Sequence, residues 1–177
     1  LAPRYCRLAR VIRDISSGDI VAGNRISNFR EVAERSLRAR GEQPCEIRAR
    51  EIKLTRVTDA EEVNLRVTTY ATSVSSERFI ELVTPADQLL GFCRLSLPGA
   101  SGFIPEIADS ALIRELHVYG ASLALGQAPG DNAQHQGFGK RLLAEAQAQA
   151  RAHGYRDLAV ISAVGTREYY RARGFSD

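Results

Sequence analysis

Apolar and polar positions along the chain alternate with helical and strand periods in turn. Near the start, Leu8, Val11, Ile12 and Ile15 fall between arginines at every third residue (Arg4, Arg7, Arg10 and Arg13), a pattern that a helix or an edge strand can use. Ser16-Ser17-Gly18-Asp19 and Gly23-Asn24 read as turns. Across residues 29–40, Phe29, Val32, Ala33, Ser36 and Leu37 share one helical face, with Asn28 as N-cap and Gly41 as the stop. Arg30, Arg35, Arg38 and Arg40 project from the rest of that helix. Residues 45–52 alternate as a half-buried strand does, which puts their arginines on one face. Residues 64–73, 77–83 and 89–97 read as three antiparallel strands, the last ending at Pro98-Gly99. A loop over 98–110 leads to a strand over 111–119, dense enough in apolar residues to be central. Residues 120–133, rich in Gly, Pro and Ala, form a loop long enough to be functional. Residues 157–162 read as a buried parallel strand, and 166–173 as a short helix closed by Gly174-Phe175. There is no internal repeat.

The segment between the long loop and the parallel strand carries candidate chemistry. Gln134-His135-Gln136-Gly137-Phe138-Gly139-Lys140 runs into a helix whose Leu142, Leu143, Ala146 and Ala150 face the core, with Gly154 as its end. This reads as a glycine-rich turn opening a helix. The first N–H groups of a helix lack internal partners and carry the positive end of its dipole, so such a turn grips anions. Glycine at 137 and 139 lets the backbone approach a phosphate or pyrophosphate closely. The plainer alternative is a loop before a surface helix. The dinucleotide fingerprint fails, because Leu142 stands where its third glycine belongs. The P-loop also fails, for want of Gly-Lys-Ser/Thr after four spacers.

Composition limits the choices. At 177 residues, with 44% hydrophobic and 25% charged residues, the chain has the make-up of a soluble globular protein with one domain and an appendage. It has no apolar run of about 18 residues and no signal-peptide core, so a cytoplasmic location without membrane is expected. Cys6, Cys45 and Cys93 are far apart and odd in number, which encodes neither a disulfide framework nor a metal site and suggests buried thiols. Only Lys53 and Lys140 are lysine. Residues 1–57 carry 13 basic against 7 acidic residues, net +6, whereas 58–177 carry 11 against 14, net −3. A basic front suggests a polyanion partner through Arg30, Arg38, Arg48 and Arg50; a solvated face of Glu/Arg pairs is the alternative.

Gln134 to Gly139 resembles the Gln/Arg-x-x-Gly-x-Gly pyrophosphate loop of the GNAT acetyltransferase superfamily, and Tyr169-Tyr170-Arg171-Ala172-Arg173-Gly174-Phe175 resembles its aromatic-Tyr-x-x-x-Gly-Phe. Arg114 to Gly120, His135 to Gly139 and Ala159 to Tyr170 further resemble the C-terminal acetyltransferase domain of the Elongator catalytic subunit family. In the front part, Arg13-Asp14-Ile15, Asn28-Phe29-Arg30 and Cys45-x-x-x-Arg48-x-Arg50-Glu51 fit the same family. The resemblance implies an α/β GNAT acyltransferase fold, with a mixed, mostly antiparallel central sheet flanked by helices. Residues 58–177 would form this domain, and 1–57 an Arg-rich linker joined to a radical S-adenosylmethionine domain whose Cys-x-x-x-Cys-x-x-Cys motif is absent here. It implies acetyl-CoA as cofactor, with S-adenosylmethionine and an iron-sulfur cluster in a full-length enzyme, tRNA as partner, and 5-carboxymethyl modification of the wobble uridine. The oligomeric state stays open between a homodimer and accessory subunits. Glu115, Leu116, His117 and Val118 would lie against the cofactor, Gln136, Gly137, Phe138, Gly139 and Lys140 would hold its phosphates, and Tyr170 would protonate the leaving thiolate. For each, a structural role is the alternative: Glu115 paired with Arg114 or Arg167, His117 a sheet histidine rather than a base, Lys140 a solvated helix residue, and Tyr170 packing beside Phe175. A free-standing GNAT enzyme acting on a protein lysine or small amine, and a tRNA-binding module without chemistry, are the competing functions.

Overall fold

The computed structural model describes residues 2–10, 16–26, 28–52, 63–99, 104–119 and 133–177, with the backbone alone at 133–136. The chain divides into two compact units, Leu1–Glu51 and Ile52–Asp177.

In the first unit, residues 2–10 form neither helix nor strand; 11–15 lie outside the described residues. Helix α1 spans Phe29–Ala39, as its periodicity predicts. Asn28 stands at the N-cap, but its side chain donates to Glu31 Oε2 (3.3 Å) rather than capping a backbone N–H. At the far end Gly41 takes φ 73° and Glu42 N bonds Leu37 O, a left-handed stop. The strand expected over 45–52 is instead one helical turn, α2 (Ile47–Arg50). The cause is Glu46. Its buried carboxylate caps Arg48 N at 2.9 Å, accepts from Leu8 N at 3.0 Å and pairs with Arg30, which fixes a helical start where the alternating pattern alone suggested extension.

The second unit is a five-stranded sheet in the order β1 (Asn64–Ala71), β2 (Ser75–Val83), β3 (Leu89–Pro98), β4 (Ala111–Val118) and β5 (Leu158–Val160). The first four strands pair antiparallel in sequence order, and β5 pairs parallel to β4. The five strands expected between residues 64 and 162 are all present; β5 is half-buried rather than buried. The crossover from β4 to β5 contains helix α3 (Ala133–Ala152), which lies on one sheet face. Its Phe138, Leu142, Leu143, Ala146 and Ala150 pack with Ile80, Leu82, Cys93, Leu95 and Ile113 in a single core. Gly91 is required there: a Cβ would come within 2.8 Å of His117 O and 3.3 Å of Leu142. Helix α4 (Arg167–Arg171) follows β5 and closes at Gly174, with φ 87° and Phe175 N bonding Tyr170 O at 3.2 Å.

Candidate functional site

The site begins at an irregularity in β4. Arg94 pairs with Glu115 and Leu95 with Ile113, so Arg114 is an extra residue, a β-bulge. The bulge coincides with the end of the β4/β5 ladder, which runs from Ala111↔Leu158 to Ile113↔Val160 and finishes with Ile161 N bonding Ile113 O at 3.1 Å. Beyond it, residues 114–118 have no strand on that side among the described residues, so their backbone groups that point away from β3 have no ladder partner there.

A cleft of about 460 Å³ lies at this opening, lined by Leu116 and Val118 from β4, Gly139 and Lys140 from α3, and Thr166, Tyr169, Tyr170 and Arg173 around α4. After the bulge, Leu116 and Val118 turn toward the α3 core. Glu115 and His117 turn to the other face by strand alternation. There Glu115 accepts from Arg94 Nε at 2.9 Å, so its partner is neither Arg114 nor Arg167. His117 stacks on Phe92 at 5.9 Å and meets Tyr119 at 4.4 Å. Arg114 reaches Glu77 at 3.2 Å, and the second carboxylate oxygen of this buried glutamate has no partner.

Tyr170 is buried in the cleft wall, edge-on to Phe175 at 5.6 Å and Tyr169 at 5.2 Å. Burial raises its phenol pKa, and the neighbouring Cys93 and Tyr169 add to the rise, while Arg173 opposes it. At neutral pH the hydroxyl therefore keeps its proton. Burial, with Glu115, pushes the Cys93 thiol up to about 12, so it is inert packing. Cys6 and Cys45 are also free thiols, half-buried rather than buried. Among the described residues no group of His, Cys, Asp and Glu could hold a metal ion, and no helix is long and apolar enough to cross a membrane.

The glycine segment differs from a turn that opens a helix. Helix α3 already begins at Ala133, so Gly137 and Gly139 lie inside it. Glycine costs only about 1 kcal/mol in a helix interior, which the burial of Phe138 and Leu142 offsets. The first-turn N–H groups thus belong to 133–136; the side chain of Gln136 and residues 120–132 lie outside the described residues. The two glycines have different surroundings. A Cβ at Gly137 would meet nothing within 4 Å, whereas at Gly139 it would come within 2.4 Å of the Tyr169 hydroxyl. Lys140 is exposed beside them.

Tyr169, Thr166 and Arg173 were not singled out by sequence reasoning. Tyr169 and Arg173 are four residues apart, the spacing that brings side chains together on a helix, and this was the available signal. Among the arginines of the front, Arg30 bonds Glu34 at 2.8 Å, Leu8 O at 3.1 Å and Glu46. Burial alone would lower the Arg30 pKa, but Glu46 and Glu34 outweigh it and raise it. Burial likewise opposes ionisation of Glu46, yet Leu8 N–H, Arg30 and Arg48 N–H hold its carboxyl below the usual range. Arg48 donates to Ala9 O at 2.6 Å, and buried Arg50 to Cys45 O at 2.8 Å and Arg4 O at 3.2 Å. Arg38 is 65% exposed and makes one long pair with Glu34 at 3.4 Å.

Four antiparallel strands, a glycine-bearing crossover helix and a fifth strand that parts from a bulged fourth around a tyrosine-walled cleft form the mixed, mostly antiparallel sheet flanked by helices that the GNAT resemblance implies. Over its whole length the chain is homologous to the C-terminal region of the tRNA uridine(34) acetyltransferase and Elongator complex protein 3 family. It is 39% identical over 183 residues to the tRNA uridine(34) acetyltransferase of Dehalococcoides mccartyi, covering 99% of this chain and 39% of that protein. It is 35% identical to Elongator complex protein 3 of Schizosaccharomyces pombe, covering 99% and 34%. The solved structure of archaeal Methanocaldococcus infernus Elp3 with an N-terminal deletion superposes with a TM-score of 0.78 at 29% identity, covering all of this chain and 43% of that one. The chain thus spans less than half the length of each of these proteins. No family profile matches it.

Proposed function

We propose that this chain is the acetyl-CoA-binding acetyltransferase domain of an enzyme that modifies the wobble uridine of tRNA. The observation that carries this reading is the coincidence, in one cleft, of the open β4 edge at the bulge and a buried, protonated Tyr170. The lining suits an acyl-CoA: among the described residues Lys140 and Arg173 face it without any carboxylate, Leu116 and Val118 offer apolar wall, and about 460 Å³ is within the usual range of small-molecule sites.

Bound acetyl-CoA would supply an activated acetyl group on a thioester. The residues of this chain have separable tasks. The edge backbone groups of 114–118 bind and orient the acyl chain as a further strand would, and their N–H groups stabilise a carbonyl oxygen that gains negative charge. Leu116, Val118 and Tyr169 exclude water. The Tyr170 hydroxyl holds a proton for the leaving sulfur, and a phenol near or above pKa ~10 is a competent acid toward a thiolate. His117, stacked on the opposite sheet face, is a candidate only for the acceptor side. The tRNA substrate is proposed from the likeness to the D. mccartyi enzyme, and Arg38 is the most available of the four arginines of the front.

The test is titration with acetyl-CoA, followed by thioester cleavage assays with tRNA and with small amines. Cleavage stimulated by tRNA supports the reading. Efficient acetylation of amines without tRNA would replace it with an ordinary N-acetyltransferase, and no affinity for acetyl-CoA would leave only an RNA-binding module.

A further inference from the structure

Arg173 carries unused hydrogen-bonding capacity at the cleft. Its guanidinium carbon lies 3.5 Å from the Tyr169 ring centroid, and its Nη1 donates to Tyr169 O at 2.6 Å. Its Nε is buried without a partner, one of two such side-chain atoms among the described residues, the other being Glu77 Oε2. Arg173 also makes no ion pair among the described residues. A buried donor on a charged group that lacks an acceptor is costly, so such a group persists where a ligand supplies the acceptor. Lys140, on the α3 wall, is exposed and likewise unpaired among the described residues. Among the described residues the lining therefore holds two cations and no compensating anion.

We propose that Arg173 is an anion-binding residue of this cleft which, together with Lys140, clamps phosphate oxygens of the acyl carrier. The proposal rests on the reading that the cleft takes acetyl-CoA, and adds the group that selects the phosphorylated carrier over its bare pantetheine arm. The geometry favours an anion over a neutral acceptor. Arginine offers a planar fork of donors suited to phosphate, and stacking on Tyr169 fixes that plane in advance. Tyr169 in turn places its hydroxyl against Gly139, the residue before Lys140, while its ring face carries Arg173. The shared chemistry is a phosphate ester, supplied by the diphosphate or by the 3′-phosphate of the carrier.

The experiment compares the wild-type chain with Arg173→Gln and Arg173→Lys, with circular dichroism as folding control. Three ligands are titrated: acetyl-CoA and 3′-dephospho-acetyl-CoA by calorimetry, and phosphate-free acetyl-pantetheine by NMR. Arg173→Gln should weaken acetyl-CoA by roughly 10- to 100-fold, as expected for losing a charge-assisted hydrogen bond, with partial recovery in Arg173→Lys and no change for acetyl-pantetheine. An equal loss with the 3′-dephospho form assigns the diphosphate; a wild-type affinity already low for that form and insensitive to Arg173→Gln assigns the 3′-phosphate. Equal weakening of all three ligands would overturn the proposal, since Arg173 would then only hold α4 in place. Unchanged affinity for acetyl-CoA would overturn it as well. If the wild-type chain binds none of the three, the acetyl-CoA reading fails first and this inference fails with it.

Discussion

Replacing the two glycines of α3 separately with alanine isolates what each contributes. At Gly137 an added Cβ meets nothing within 4 Å, so the substitution should return the helix propensity that glycine forfeits, about 1 kcal/mol. Urea denaturation of Gly137→Ala should show a midpoint shifted upward with an unchanged slope. At Gly139 the same methyl group would stand 2.4 Å from the Tyr169 hydroxyl and 3.4 Å from its ring carbon. To reach ordinary contact the hydroxyl must withdraw by roughly 1 Å, and the ring cannot swing freely because Arg173 covers its face at 3.5 Å and Tyr170 meets it at 5.2 Å. Overpacking of this kind costs about 1–3 kcal/mol, which cancels or exceeds the propensity gain. Gly139→Ala should therefore be neutral to about 2 kcal/mol less stable. Because the displaced ring lines the cleft, acetyl-CoA affinity should also fall, by roughly tenfold for each 1.4 kcal/mol of strain borne by the bound state. Paired denaturation and calorimetry on the two variants decide the matter. If Gly139→Ala proves as stabilising as Gly137→Ala and binds acetyl-CoA unchanged, Tyr169 is not seated on Gly139 and the cleft wall is wrongly drawn.

Further substitutions address the remaining parts. Tyr170→Phe should slow thioester cleavage by about 10²-fold with little change in affinity, and the wild-type rate should hold through neutral pH and fall only as pH rises past the raised phenol pKa, as rate-versus-pH profiles will show. Glu46→Ala should cost about 3 kcal/mol by stripping Arg30 and two backbone N–H groups of their acceptor, measured by urea denaturation. Because the folded-state pKa of Glu46 is depressed, its stabilisation is present above the ordinary glutamate pKa and is lost as pH falls through the lowered one, which acid titration of the wild type followed by circular dichroism will trace. Arg38→Ala should leave stability within about 0.5 kcal/mol and flatten the dependence of log tRNA affinity on log salt by roughly one unit, whereas Arg50→Ala should mainly destabilise, because its guanidinium is spent on two backbone carbonyls.

Which parts of this structure could be read in advance follows from how local their causes are. The antiparallel meander was legible because Ile80, Leu82, Cys93 and Leu95 all point into one core and leave their alternation in the sequence. Tyr170 was singled out only by the resemblance of its segment to aromatic-Tyr-x-x-x-Gly-Phe, whereas helix α4 was legible because glycine at 174, in the left-handed region, and Phe175 mark a helix end by residue type. The turn at 47–50 was not, because the same alternation that suits a strand also suits one helical turn, and the choice fell to Glu46 pairing with Arg30 and Leu8, which are distant in sequence. The bulge left a trace that went unread. Core-facing residues in β4 run 111 and 113, then 116 and 118, a shift of phase at Arg114. Arg173 was hidden for a different reason, since its role depends on what the cleft leaves unpaired.

A ligand lying along the open edge of β4 beside Tyr170 should leave its mark in hydrogen–deuterium exchange of the folded chain with and without saturating acetyl-CoA. The amides of 114–118 have no partner strand on the β5 side among the described residues, and residues 166, 169, 170 and 173 line the same opening, so both segments should slow on binding while the β1–β2 hairpin stays unchanged. Binding that leaves both segments unprotected, or that protects only regions remote from the cleft, would contradict it.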